Sequence, residues 1–183
     1  MYGNLILSKY PFVEAKDFDP TNEHGYSQQR VVIDFNGEQI AIYNIHLSMP
    51  IWTVDIPQLP FSLRMALGYN DSVRNNEIAR LIPILQAEKL PFIMGGDFNM
   101  SDHSVTYQQL ANVVGDSFRE VGVGMGKSWP RPVSETDAIP DWMPPIIRID
   151  YIWHSPQWAP INAEQGPYLG SDHLAVLAQF TLK

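Results

Sequence analysis

Short apolar runs separated by polar breaks dominate the chain, and few of them have the length or period of a helix. Leu5-Ile6-Leu7, stopped by Ser8-Lys9-Tyr10-Pro11, predicts a first strand and turn. Residues 14–29 are polar, contain Pro20 and Gly25, and read as a loop. Residues 30–35 and 39–47 predict two strands joined by the hairpin signal Asn36-Gly37. Residues 48–70 form an apolar loop holding Pro50, Pro57, Pro60, Trp52, Phe61 and Met65, which either folds back on the body or faces a lipid or partner. Ile78, Leu81, Ile82 and Leu85 fall at helical spacing and predict a helix from a cap at Asp71 or Ser72 to about Lys89, with Pro83 inside it. The run Leu90-Pro91-Phe92-Ile93-Met94 predicts a buried strand ending at Gly95-Gly96. A shorter helix near 104–113 carries Val105, Leu110 and Val114 inward, and residues 115–146 are loop-rich. Strands are expected at 146–154, 158–164 and 174–182. There is no repeat, low-complexity tract or linker, so residues 1–183 read as one domain. The expected fold class is α/β (α+β): a two-layer, mostly antiparallel β-sandwich flanked by helices.

Composition narrows the function classes. At 183 residues, 45% apolar and 17% charged, the chain has the make-up of a globular protein with a substantial core. It contains no apolar run long enough to span a membrane, and Met1-Tyr2-Gly3-Asn4-Leu5 lacks the pattern of a signal peptide. Zero cysteines exclude disulfides, thiolate metal sites and a cysteine nucleophile. The net charge of −8 opposes tight binding to a polyanion but suits acids that gather around a divalent cation.

The candidate chemistry lies at strand ends. Asp97 and Asn99, two apart after the glycines, place a base or metal ligand beside an amide; alternatively they make a turn closed by an Asx-type hydrogen bond. Asn44 and His46 share one face of a strand. Asp150 sits in the apolar Arg148-Ile149-Asp150-Tyr151-Ile152 and needs a partner, Arg148 or a backbone amide among them. Asp172-His173 follows Gly170-Ser171. Each taken alone also reads as a structural residue; together at strand ends they point to one site.

Asn44-Ile45-His46-Leu47, Gly96-Asp97-Phe98-Asn99, Arg148-Ile149-Asp150-Tyr151-Ile152 and Ser171-Asp172-His173, in this order, resemble four motifs of the endonuclease/exonuclease/phosphatase superfamily. Deoxyribonuclease I, abasic-site endonucleases, inositol-polyphosphate 5-phosphatases and neutral sphingomyelinases are members. The resemblance extends from residue 3 to the C-terminus. It implies a deoxyribonuclease I-like sandwich that hydrolyses a phosphodiester with Mg²⁺ or Mn²⁺. It further implies that Asp97 activates the water and that Asn99 holds the water or a phosphate oxygen. His173 would stabilise developing charge, oriented by Asp150, with Asp172 at the metal and His46 and Asn44 flanking the phosphate.

Family members carry an upstream portion with an Asn and a metal-binding Glu, and both would precede Gly3 here. The chain thus resembles the C-terminal two-thirds of the family domain, N-terminally truncated. That implies weak or no activity in isolation and self-association through an uncovered sheet edge. Lys127, Arg131 and Arg148 are candidate phosphate-binding residues, or ordinary surface and salt-bridged ones. Residues 126–130 and 142–145 resemble bacterial members, some with membrane-spanning helices upstream. The substrate stays open among nucleic acid, lipid head group and small molecule. A phosphomonoesterase and a non-catalytic binding module are the alternative functions.

Overall fold

A computed structural model of the chain describes residues 4–18, 28–52, 69–133, 140 and 142–183. Strands β1 (Phe12–Phe18), β2 (Gln28–Phe35), β3 (Glu38–His46), β4 (Ile51–Trp52) and β5 (Tyr69–Asn70) precede helix α1 (Ser72–Ala87). Then come β6 (Phe92–Asp97), α2 (Val105–Ala111), β7 (Gly115–Asp116), α3 (Ser117–Val121), β8 (Asp150–His154), β9 (Trp158–Gln165) and β10 (Val176–Leu182). Six strands form one sheet in the order β1-β2-β3-β6-β8-β7. Every neighbouring pair is antiparallel except β3 and β6, which run parallel. Strands β9 and β10 pair antiparallel as a separate two-stranded ribbon.

The sheet is apolar on both faces, so it needs two covering layers. Tyr43, Ile45 and Leu47 on one face join Met94, Tyr151 and Trp153 and pack on Ile78, Leu81 and Leu85 of α1 and on Tyr107 and Leu110 of α2. Val31, Ile33 and Ile40 on the other face pack on Trp158, with Ile6, Tyr10, Ile93 and Phe180 around them. Helices α1 and α2 thus lie on one side and the β9/β10 ribbon on the other, the layered α/β sandwich expected from the pattern. The parallel step follows from α1, which carries the chain back so that β6 starts at the same end of the sheet as β3.

Several local expectations are corrected. Residues 4–8 form no strand: Ile6 joins the second core, whereas Leu5 and Leu7 are exposed and pair with no strand among the described residues. The stretch read as a loop from residue 14 opens as the edge strand β1, whose exposed, polar pattern carries no period to read. Val105 is 74% exposed, and Thr106 and Tyr107 take the buried positions of α2. Within 115–146 lie β7 and the one-turn α3, capped by Asp116, whose side chain accepts from the amides of Phe118 and Arg119. The expected strand at 146–154 begins only at Asp150, and Ile147 bridges to Trp129 instead. Most of the apolar loop at 48–70 lies outside the described residues.

Candidate active site

The register of three strands brings the acidic and imidazole groups together. Parallel pairing sets His46 opposite Asp97, and antiparallel pairing sets Asp97 opposite Asp150. Alternation puts Tyr43, Ile45, Met94, Tyr151 and Trp153 toward the helices, so His46, Asp97 and Asp150 face the ribbon side at one end of the sheet. Gly95 and Gly96 do not end β6 there; the strand runs through them to Asp97. Gly96 has φ +144°, and a Cβ on it would lie 1.8 Å from the Ile45 carbonyl oxygen. Only glycine lets β3 and β6 approach this closely beside the acid.

Asp97, Asp150 and His173 each offer a ligand atom within 4.8 Å of the others. His173 Nδ1 donates to Asp150 Oδ2 at 2.8 Å, which leaves Nε2 directed away from Asp150, 4.0 Å from Asp172 Oδ2. His46 Nε2 stands 3.8 Å from Asp97 Oδ2. Asn99 adopts φ +48° and donates its backbone N–H to Asp97 Oδ1 at 2.8 Å, the Asx-type bond of the alternative reading. Its side-chain amide donates to the Leu47 carbonyl at 2.9 Å and to Asp97 Oδ2 at 3.1 Å. Both N–H bonds of that amide are therefore committed, and only its Oδ1 is left to meet a water or cation.

Charge is unevenly balanced here. Burial, then the Asp150 charge, pushes the Asp97 carboxyl up to about 7, with the Asn99 N–H and His173 working against the rise. Burial opposes a charge on His173, but the bond to Asp150 and the nearby carboxylates outweigh it and raise its pKa. Burial and the His173 charge lower the pKa of His46. The site thus sets the His173 imidazole among the carboxyl groups of Asp97, Asp150 and Asp172, a set rich in oxygen donors. That set fits a hard divalent cation held by oxygen.

The other expected residues have partners of their own. Asn44 shares the face of His46, but its amide bonds the Leu5 carbonyl and Gln29 Oε1, each at 3.3 Å. Arg148, expected at the phosphate, is 5% exposed and grips Asp116 with two bonds of 2.6 and 3.2 Å. It stacks 4.6 Å from the Tyr151 ring centroid, because a buried guanidinium needs a counter-charge and a flat surface. Arg131 donates to the Met143 carbonyl at 3.1 Å and lies over Tyr168, while its backbone N–H bonds the Asp172 carbonyl at 2.7 Å. Lys127 lines a separate cavity beside the site.

Four supporting residues were not among the sequence candidates. Gln28 holds both backbone polar atoms of His46, accepting from its N–H at 2.6 Å and donating to its carbonyl at 2.7 Å. Ser128 Oγ accepts from the Asp150 N–H at 3.3 Å. One turn apart on α1, buried Arg74 donates to the Asn99 carbonyl, and buried Glu77 accepts from the Ser48 N–H and hydroxyl, both at 2.8 Å. A charged pair at i and i+3 on the apolar face of the predicted helix was the available signal for the last two.

The sequence pattern of the Endonuclease/Exonuclease/phosphatase family matches residues 1–173. No curated protein sequence matches the chain. A conserved protein of unknown function from Enterococcus faecalis V583 is similar in structure, with 15% identity and TM-score 0.68 over 96% of this chain and 68% of that one. An endonuclease/exonuclease/phosphatase from Bacteroides vulgatus is similar with 18% identity and TM-score 0.66, over 96% and 67%. The mannosyl-6-phosphatase Bt3783 of Bacteroides thetaiotaomicron VPI-5482 follows at 15% identity and TM-score 0.61, over 95% and 68%. The chain spans about two thirds of the length of these neighbours. With the family pattern running through the strand-end motifs and the fold shared with such neighbours, the chain belongs to the endonuclease/exonuclease/phosphatase family.

Proposed function

We propose that the site hydrolyses a phosphodiester by attack of water, with a divalent cation, Mg²⁺ or Mn²⁺, held by the oxygens of Asp97, Asp150 and Asp172 and by Asn99 Oδ1. The observation that carries this reading is the Asp97–Asp150–His173 cluster, in which a near-neutral carboxyl and an imidazole of raised pKa converge. When bound, the cation supplies neutralisation of charge on the phosphoryl oxygens. Asp97 would take the proton of the attacking water. The water oxygen bonds to phosphorus and the bond to the leaving alcohol breaks. Asp150 keeps the His173 Nδ1–H fixed, so that Nε2–H donates to a phosphoryl oxygen as charge builds. Neutral His46 flanks the phosphate from β3.

A phosphomonoester is the second reading, favoured by the structural likeness to the mannosyl-6-phosphatase. The test is hydrolysis of bis(p-nitrophenyl) phosphate, plasmid DNA, p-nitrophenyl phosphate and mannose 6-phosphate with Mg²⁺, Mn²⁺ or EDTA, beside His173→Ala. Metal-dependent diester turnover that falls about 10²–10⁴-fold in the variant supports the proposal. Turnover of monoesters alone shifts it to the second reading, and turnover indifferent to EDTA or to His173 refutes it.

A further inference from the structure

A cavity of about 360 Å³ opens beside the candidate site, and its lining is chemically distinct from the rest of the chain. Each wall continues a segment that carries a site residue. Ser101–His103 follow Asn99, Ile146–Arg148 lead into Asp150, and Lys127 precedes Ser128, whose hydroxyl accepts from the Asp150 amide. The third wall is the turn after α3, laid flat on the body by glycines. A Cβ on Gly126, at φ +64°, would meet Phe118 Cε1 at 2.7 Å and Arg148 Cδ at 2.9 Å, and one on Gly122 would meet Phe118 Cδ1 at 2.7 Å. The cavity is therefore lined by buried Phe118 and by the exposed apolar side chains of Met125 and Ile146.

Its polar groups are mostly cationic. Arg119 and Lys127 line it, and neither makes an ion pair among the described residues, although the chain has 20 acidic against 12 basic side chains. Among the described residues Asp102 is the sole lining carboxylate, and it is drawn off by Arg148 at 3.7 Å and His103 at 3.8 Å. Arg148 is itself neutralised by Asp116. Two cations with no ion-pair partner among the described residues, set around a recess in an acidic protein, mark a place for an anion.

We infer that this cavity is a second anion subsite, which binds a further phosphate group carried on the alcohol part of the ester while the scissile phosphate lies at Asp97 and His173. The inference rests on the reading of the site as a phosphoesterase. It narrows the substrate class to esters with two phosphate groups joined by a short, partly apolar spacer. Lys127 and Arg119 then select the substrate and take no part in breaking the bond.

The decisive test separates binding from turnover. Inorganic phosphate is titrated by calorimetry in EDTA into the His173→Ala variant of the chain, which removes the competing imidazole. Lys127→Ala and Arg119→Ala, each added to that variant, are expected to weaken phosphate binding about tenfold, the loss of one charge-assisted contact. Lys9→Ala, an equal change in net charge at an exposed position remote in sequence from the cavity, is expected to change it less than twofold. Absence of phosphate binding, or equal weakening in all three, overturns the subsite. In the unmodified active-site background, the ratio of kcat/KM for a hexose bisphosphate to that for the matching monophosphate is expected to fall at least tenfold in Lys127→Ala. An unchanged ratio also overturns it. If no ester is hydrolysed at all, the phosphoesterase reading fails, and the calorimetry still decides the subsite.

Discussion

Replacing Arg148 with Met should unfold the protein far more than it should impair an intact site. The guanidinium donates to both Asp116 oxygens, and Asp116 also accepts from the Tyr107 hydroxyl at 2.7 Å and from the Phe118 amide at 3.1 Å. Both partners are at most 5% exposed, so water cannot solvate Asp116 once the cation is gone. Breaking such a pair from one side costs about 3–5 kcal/mol. With a urea dependence of about 2 kcal/mol per molar, the midpoint should drop by roughly 1.5–2.5 M. Urea unfolding followed by circular dichroism measures this. Arg148→Met with Asp116→Asn should recover at least half of the loss, since the second change removes the stranded charge. A midpoint within about 0.3 M of the parent, with KM raised for every ester, would refute the argument and return Arg148 to the substrate.

Three further outcomes are expected. Because the fold holds the Asp97 proton up to a pKa of about 7, the native state binds more protons than the unfolded chain below that pH, and stability should fall as pH rises from about 4 to 7. Asp97→Asn should therefore melt higher than the parent at pH 8 in EDTA and lose any Mg²⁺-induced rise in Tm; a lower melting point contradicts the assigned strain. Arg74→Met should cut kcat about 10–100-fold with little change in KM, by freeing the Asn99 carbonyl, and Arg74→Lys should restore part of it; an unchanged kcat removes Arg74 from the positioning set. Gly96→Ala should lower the urea midpoint much more than Gly124→Ala, which also has positive φ but open space around its Cβ. Equal midpoints would disprove the close approach of β3 and β6.

The sheet was legible wherever burial follows a short period. The Asn36-Gly37 hairpin and the helix through Ile78, Leu81 and Leu85 appear close to where their patterns put them. Edge strand β1 escaped because exposed residues carry no alternation, and α3 because a single turn is too short to show a period. The gathering of His46, Asp97, Asp150 and His173 at one end could be anticipated because strand-end polar residues have few places to go. Gln28 and Ser128 could not be found this way. Their role depends on which backbone amides they meet across the sheet, and identity alone does not encode that. Arg148 shows the converse, since a cation near a phosphate motif looks the same in sequence whether it faces substrate or a buried Asp116.

The parallel pairing of β3 with β6 also bears on how the protein acquires its site. Six residue pairs, Ala41 with Phe92 through His46 with Asp97, fix this register across a separation of 51 positions. Closing so long a loop is entropically demanding, and its reward comes only when β6 docks. No partly folded chain lacking that docking can hold His46 beside Asp97. Recovery of any phosphate-ester turnover during refolding, should the proposed activity hold, would then lag the return of helical signal from α1 and report the moment at which these two strands meet.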